Sequence, residues 1–450
     1  MCLKIYLRYR NFCNNLTKKL KREFERNEFL KAKNNSKATW GIVKKVSNYK
    51  QNPYSASALL SLRSSVTIDS INDFFVGIGE AMASKAEAFS EGCNYAKPSG
   101  SHPLNSMVLL STDYDEVEQI IQSLKNTSTV GWDNIPTSIL KACKIFLIPV
   151  LVHVFNLCLT SGVFPGVFKK AVIYPIFKSG DRGNVTNYRP ISVLTTISKI
   201  LEKILNRRLI SFLDANQIIS SCQYGFRSGK STEDAVLKLT DTVAKHLNNK
   251  LKTIGIFLDL SKAFDTVSIS ILLEKLEAIG IRGHVLDIFA SYLSERTQRV
   301  VIDGSVSQDR YIHYGVPQGS VLGPTLFLIY INDLCNLTLH NGQIITYADD
   351  TVLLMHGVDW QDVCDASQKA LSEVMEWLTK NLLTLNLEKT KYLTFSASTC
   401  SLPPSSYKVI AHKCDRQVEC NCLVVSRTNS IKYLGVTLDT TISWKPHLDS

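Results

Sequence analysis

No stretch of this 450-residue chain is both long enough and uninterrupted enough in apolar residues to read as a membrane span. The nearest, from Ile145 to Phe164, carries Pro149, His153 and Asn156, and is expected to be a buried helix instead. The start, Met1-Cys2-Leu3-Lys4-Ile5-Tyr6-Leu7-Arg8, is too short in apolar residues and too charged for a secretory leader. Without a leader, twelve cysteines point to free thiols in a reducing compartment. A zinc-finger spacing is missing as well. His412, Cys414, Cys420 and Cys422 cluster, but with a Cys-x-Cys pair and a wide gap, so free thiols in a loop are expected rather than a metal. Gly229-Lys230-Ser231 imitates the end of a P-loop, yet Tyr224 occupies the first glycine position and Gly225 falls one residue short, which excludes that nucleotide site.

Acid is scarce at one end. Residues 1–50 hold 14 Lys and Arg against three Glu and no Asp, out of 51 basic and 40 acidic residues in the chain. The other 400 residues carry 37 of each sign, so the net charge of +11 lies wholly in the first fifty. Such a segment suits a polyphosphate partner held by salt-sensitive contacts. Its aromatics, among them Tyr6, Phe12, Phe24 and Trp40, suit either base stacking or the packed face of a helix. Lys18-Lys19-Leu20-Lys21-Arg22 is a short candidate nuclear address.

What is present centres on Tyr347-Ala348-Asp349-Asp350, set between the apolar runs 343–346 and 351–355. The pattern reads as strand, tight turn, strand, with two adjacent carboxylates at the bend. A second apolar run, 253–258, ends on Asp259. Adjacent acids repel and lose hydration against a sheet, so a divalent cation is the usual counter-charge. Three carboxylates on two neighbouring strands suit a pair of ions that stabilises attacking and leaving oxygens in phosphoryl transfer. Taken alone, Asp-Asp in a hairpin is only turn chemistry.

The surrounding blocks decide between these readings. Phe257-Leu258-Asp259-Leu260-Ser261-Lys262-Ala263-Phe264-Asp265-Thr266-Val267, then Gly315-Val316-Pro317-Gln318-Gly319-Ser320-Val321-Leu322-Gly323-Pro324 with its apolar continuation 326–334, then the Tyr-Ala-Asp-Asp hairpin, together resemble a reverse transcriptase. Gly131-Trp132-Asp133-Asn134-Ile135-Pro136, Tyr174-Pro175-Ile176-Phe177-Lys178, Asn187-Tyr188-Arg189-Pro190, Gln223-Tyr224-Gly225-Phe226-Arg227-Ser228-Gly229, Leu385-Asn386-Leu387-Glu388-Lys389 and Ile431-Lys432-Tyr433-Leu434-Gly435 follow the family's order. The likeness covers about residues 113–447 and is narrowest to polymerases of non-LTR, LINE-type retrotransposons of the jockey-like group. One departure is Ile269, where relatives usually place His.

The resemblance implies an α/β (α+β) right-hand polymerase fold: a basic extension and linker over 1–112, helical fingers over 113–252, and an antiparallel-sheet palm of ferredoxin/RRM-like type over 253–436. The reverse transcriptase domain as a whole spans about 165–440, and 437–450 begins a thumb that is otherwise missing. It implies Asp259, Asp349 and Asp350 as the catalytic acids, ligands with the Leu260 carbonyl for two Mg²⁺ ions, with Mn²⁺ as the alternative metal. Lys178 and Arg189 are implied to clamp the triphosphate, although a lone loop lysine is ordinarily just solvated. Phe264 matches a steric gate against a ribose 2′-hydroxyl, and as an isolated residue it would read as a core aromatic. Gln318 is implied to face the incoming nucleotide, and Lys389 to protonate departing pyrophosphate. Arg227, Gly319 and Tyr347 are implied at the template and primer. Expected partners are an RNA template, a DNA primer or target and dNTPs, in nucleus and cytoplasm, with no membrane; the endonuclease and thumb of a longer polyprotein are expected to be absent. A catalytically inactive nucleic-acid-binding relic is the competing expectation.

Overall fold

A computed structural model describes residues 2–32, 66–87, 105–127, 129–396, 403–404, 407–412 and 422–449, with isolated residues at 35, 39–40, 42–43, 56 and 59–60. The chain divides into two units, Met1–Ala58 and Leu59–Ser450. In the first, a single helix runs from Cys2 to Lys31, with Tyr9, Phe12, Leu20 and Phe24 exposed along it. Intrahelical pairs Lys21–Glu25 and Lys31–Glu28 use the few acids available.

In the second unit the central strand is β3 (Lys252–Leu258), reached after β1 (Lys170–Phe177) and β2 (Tyr188–Val193). From Thr253 onward every β3 residue is buried, as a strand covered on both faces requires. Helix Trp360–Lys380 covers one face and helix Thr232–Asn248 the other. Side chains alternate accordingly. Ile254, Ile256 and Leu258 join the main core, while Phe257 joins a smaller core with Val236, Leu239, Val243 and Tyr433. The 363–382 periodicity is thus realised as the helix backing the sheet. Its Ser367 and the Ser231 cap of the opposite helix are polar exceptions, and Ser231 forms a reciprocal capping box with Asp234. That capping role is what became of the Gly-Lys-Ser look-alike.

After β4 (Arg296–Ile302), β5 (Ser305–Val306) and β6 (Arg310–Ile312) come β7 (Gly342–Tyr347), β8 (Asp350–Gly357), β9 (Lys391–Phe395), β10 (Val409–Ala411), β11 (Leu423–Arg427), β12 (Ser430–Tyr433) and β13 (Val436–Asp439). The palm sheet has the order β10-β11-β9-β3-β8-β7. It is antiparallel around β3, with β9 and β11 paired in parallel. β12 and β13 form a separate hairpin.

A second sheet, β2-β1-β4-β5 with β6 on β4, joins residues that the sequence placed in different domains. Strand β4 pairs in parallel with β1, so residues 296–302 belong with the finger strands rather than the palm sheet. Helix Ile68–Glu87 also exceeds its sequence-based expectation of a short connecting helix. It lies on β4 and β6 through the fully buried Asn72, whose amide exchanges hydrogen bonds with Gln298 and donates to the Gln308 carbonyl at 2.9 Å.

Helix Lys144–Ser161 corrects another expectation. Ile148, Leu151, Phe155, Cys158 and Leu159 are buried, but Phe146 is 81% exposed and Ile145, Val150 and Leu157 are also open, so the helix is buried on one side only. It is the one helix among the described residues long and apolar enough to cross a membrane. Cys414 and Cys420 of the proposed zinc cluster lie outside the described residues.

Candidate active site

The acids come together because of strand register. The β3–β8 pairing ends at Leu258 opposite Thr351, so one further step sets Asp259 against Asp350. Period-two alternation puts both on the face carrying Phe257, Val352 and Tyr433. Asp349 stands beside them in the turn that joins β7 to β8. Asp259 is anchored by its backbone: its N–H donates to Thr390 Oγ1 at 3.2 Å, and its carbonyl accepts from Asn386 at 2.8 Å. The Leu260–Leu385 bridge is made by the neighbouring residues' groups, with Ser261 N–H on the Thr384 carbonyl, leaving the Leu260 carbonyl out of that ladder.

The turn itself is held from outside. Ala348 has a left-handed φ of +55°, a conformation for which hairpin turns favour glycine. The Gln223 side chain, 1% exposed, accepts from Ala348 N–H at 2.9 Å and from Gly225 N–H at 2.7 Å. Tyr224 N–H donates to the Thr346 carbonyl, and Thr346 N–H to that of Cys222. Gly225 lies so close to Ala348 N that a Cβ there would collide with it. The 222–226 segment is therefore a clamp on the acidic turn. Sequence reasoning singled out Arg227 in this block and missed Gln223, whose only signal was a glutamine beside a glycine-aromatic pair. Arg227 is half-buried and donates to the Ser220 carbonyl at 2.8 Å, tying its own loop. Tyr347 pairs with Asp350 across the hairpin and packs against the smaller core.

The carboxylates burden one another. Burial first, then Asp349 and Asp259, push Asp350 up to about 6, although its side chain keeps access to solvent. Asp349 is raised by burial and by Asp259, with Arg189 and Lys178 opposing. The one ion pair to the triad is Lys389 Nζ to Asp259 Oδ2, at 3.7 Å. Three hard carboxylate oxygens with excess negative charge suit a Mg²⁺- or Mn²⁺-type cation. As the side chains stand, no three His, Cys, Asp or Glu among the described residues close on a shared ligand point. The fit is therefore one of donor type and charge.

Facing the acids is a group of cations. Arg189 and Lys178 lie on one face of the β1–β2 hairpin, where Arg189 pairs with Ile176 and the Lys178 N–H donates to the Asn187 carbonyl. Burial lowers the Lys178 ammonium below its ordinary value; Lys389 and Arg189 lower it further, and Asp259 and Asp349 oppose them. Lys262, in a left-handed turn after Asp259, joins them unforeseen. Its Nζ reaches the Thr186 and Tyr188 carbonyls, each at 3.4 Å, and burial lowers it, with Asp265 opposing and Lys178, Lys389 and Arg189 adding repulsion. An open cleft of about 340 Å³ adjoins Asp259 and Asp350 and is lined also by Lys389, Lys391, Lys432 and Tyr433.

Phe264 is half-buried. Its ring stacks on Phe327 with centroids 4.4 Å apart and meets Phe226 edge-on, so it shares in the core as well as bordering the site. Gln318 donates from Nε2 to Asp265 Oδ1 at 2.8 Å. Gly319, at φ +107°, brings its backbone so near β2 that a Cβ would sit 2.6 Å from the Ser192 carbonyl. Two requirements for glycine coincide there. The loop after it is fastened by Glu202, fully buried, which accepts from Val321 N–H at 2.7 Å and from Leu322 N–H at 3.2 Å. Burial raises the Glu202 carboxyl, with the Arg296 charge opposing.

Comparison with known proteins agrees with this geometry. Residues 176–438 match the reverse transcriptase (RNA-dependent DNA polymerase) family. The chain is 31% identical over 341 residues to a probable RNA-directed DNA polymerase from transposon BS of Drosophila melanogaster, covering 74% of this chain and 36% of that protein. It is 30% identical over 350 residues to the RNA-directed DNA polymerase from mobile element jockey of the same organism, covering 76% of this chain and 37% of the relative. A probable polymerase from its transposon X-element is 28% identical over 338 residues, 74% of this chain and 36% of that one. The chain thus spans little more than a third of the length of these relatives. With the acids, the clamped turn and the opposing cations in the matched region, this chain belongs to the reverse transcriptase family.

Proposed function

We propose that this chain is the polymerase segment of a non-LTR retrotransposon protein, extending a DNA primer on an RNA template with deoxynucleoside triphosphates. The observation that carries the reading is the register that sets Asp259 against Asp350, beside Asp349 and across from Lys178, Arg189, Lys262 and Lys389. Negative oxygens on one side and cations on the other suit a polyphosphate held at one end and neutralised at the other.

Asp259, Asp349 and Asp350, with the Leu260 carbonyl, would hold two divalent ions, Mg²⁺ or Mn²⁺. Such ions, when bound, supply acidification of the primer 3′-hydroxyl and charge neutralisation on the leaving group. The protein's own groups do the rest. Arg189 and Lys178 bind the triphosphate, and Lys262 adds charge beside them. Lys389, paired to Asp259, is placed to hand a proton to departing pyrophosphate. Phe264 borders the sugar and disfavours a 2′-hydroxyl. Gln318 faces the nucleotide, Gly319 keeps that loop against β2, and Arg227 and Tyr347 stand towards template and primer. The basic segment 1–50 adds salt-dependent affinity for nucleic acid. Intracellular residence, nuclear and cytoplasmic, goes with this role and with the basic run 18–22.

The test is primer extension on an RNA template with Mg²⁺ and dNTPs, with Asp349→Ala in parallel. Extension that disappears in Asp349→Ala supports metal-dependent polymerisation. Folded protein that binds RNA and never extends a primer would leave the relic reading in its place.

A further inference from the structure

Asp265 is a buried carboxylate that the polymerase chemistry just described does not use. Its Oδ1 accepts the Gln318 amide, while Oδ2 is buried without a hydrogen-bond partner. Leaving a carboxylate oxygen unsatisfied in the interior is costly, so a position that keeps one needs a reason. Its backbone is held on several sides. Asp265 N–H donates to the Lys262 carbonyl at 2.8 Å, Val316 N–H to the Phe264 carbonyl at 2.9 Å, and Gly315 N–H to the Val267 carbonyl at 2.7 Å. Gly79, from helix Ile68–Glu87, comes so near that a Cβ would lie 2.6 Å from the Asp265 carbonyl. The carboxylate and Gln318 line the same small cavity, of about 40 Å³, so little is left there to move.

An ionised carboxylate only accepts hydrogen bonds, whereas a glutamine amide donates at one end and accepts at the other. A carboxylate fixed against Gln318 therefore selects one of its two amide orientations: the NH₂ inward and the carbonyl oxygen outward. Resting on the polymerase reading above, we propose that Asp265 is a positioning residue that turns the Gln318 amide so that its carbonyl accepts from the 3′-hydroxyl of the incoming deoxynucleotide. That hydroxyl is the only one a deoxynucleoside triphosphate has, so it is the one sugar donor such an acceptor can read. The same short segment then carries both sugar contacts: Phe264 against the 2′ position and, through Gln318, Asp265 for the 3′ position.

The experiment compares Asp265→Asn, Gln318→Ala and the double variant in the full chain. Asp265→Asn keeps the shape but can donate or accept, so the Gln318 amide is free to turn over. Single-nucleotide incorporation is measured with a dNTP and with its 3′-deoxy analogue. Preference for the dNTP in kcat/KM is expected to fall about tenfold in each single variant and no further in the double, as for loss of one charge-assisted hydrogen bond. Losses that multiply in the double variant would overturn the proposal, since a merely structural Asp265 would act without Gln318. A readout independent of activity accompanies it: the Gln318 side-chain amide resonance, assigned by its loss in Gln318→Ala. Slow exchange with solvent in the parent chain, and fast exchange in Asp265→Asn, are expected. Fast exchange in the parent overturns the proposal even if the chain extends primers. A chain that fails to extend while its amide is protected overturns the polymerase reading and leaves the Asp265–Gln318 pairing standing.

Discussion

Replacing Gln223 by Met should loosen the acidic turn without touching an acid. Met has nearly the volume of Gln but no acceptor, so the change deprives Ala348 N–H and Gly225 N–H of the oxygen they share. Ala348 is 3% exposed and the Gln223 site 1%, so water cannot replace that oxygen cheaply. Each buried N–H left unpaired costs about 1–3 kcal/mol. The left-handed φ of Ala348 already stores roughly 1 kcal/mol, which the lost bond no longer restrains. Against this, Gln223 Nε2 is a buried donor without a partner, and its removal returns part of the cost. The expected net is a loss of about 2–3 kcal/mol. Urea unfolding should show a lower midpoint at unchanged slope, and primer extension should fall more than tenfold at a temperature where the variant remains folded. A control, Gln223→Glu, retains the acceptor and should retain most of the stability. A Gln223→Met chain within about 0.5 kcal/mol of the parent, with full activity, would refute the clamp.

Other predictions follow from the same geometry. Burial raises Asp265 from 3.8 to about 6, so the native state binds that proton more tightly and this group's contribution to stability is lost as pH climbs from about 4 to 6. Asp265→Asn should remove at most about 3 kcal/mol of that pH dependence, seen as a flatter plot of unfolding free energy across the window. Gly319→Ala puts a Cβ 2.6 Å from the Ser192 carbonyl at a φ of +107° and should cost at least about 2 kcal/mol, read by denaturant unfolding. Mn²⁺ or Mg²⁺ should raise the melting temperature by relieving the crowded carboxylates, and Asp349→Asn should abolish the rise; an equal rise in the variant would place the ion elsewhere. Asn72→Leu strands the Gln298 amide and should destabilise by about 2–4 kcal/mol, a result that a loosely attached helix Ile68–Glu87 would not give.

Much of the site could be read from local chemistry. An apolar run ending on Asp259 and a hairpin bearing Asp349 and Asp350 are one-dimensional patterns, and β3 and the β7–β8 turn realise them. Helix Trp360–Lys380 was legible in the same way, because its apolar spacing matches the face it buries. Gln223 and Lys262 were not. Gln223 matters through a turn more than a hundred residues away, and Lys262 through carbonyls on the fingers. Nothing local marks a polar side chain for a distant partner.

The sequence alone determined which residues carry charge, where strands and helices start and stop, and which acids could meet, because periodicity and turn chemistry act between near neighbours. Tertiary structure alone decided that residues 296–302 pair with β1, that helix Ile68–Glu87 rests on that sheet, and that one face of helix Lys144–Ser161 stays open. It alone brought the 222–226 segment under the acidic turn and Asp265 against Gln318. These are long-range choices, in which a backbone group or a buried amide takes the partner that packing brings within about 3 Å, and no spacing along the chain encodes that distance.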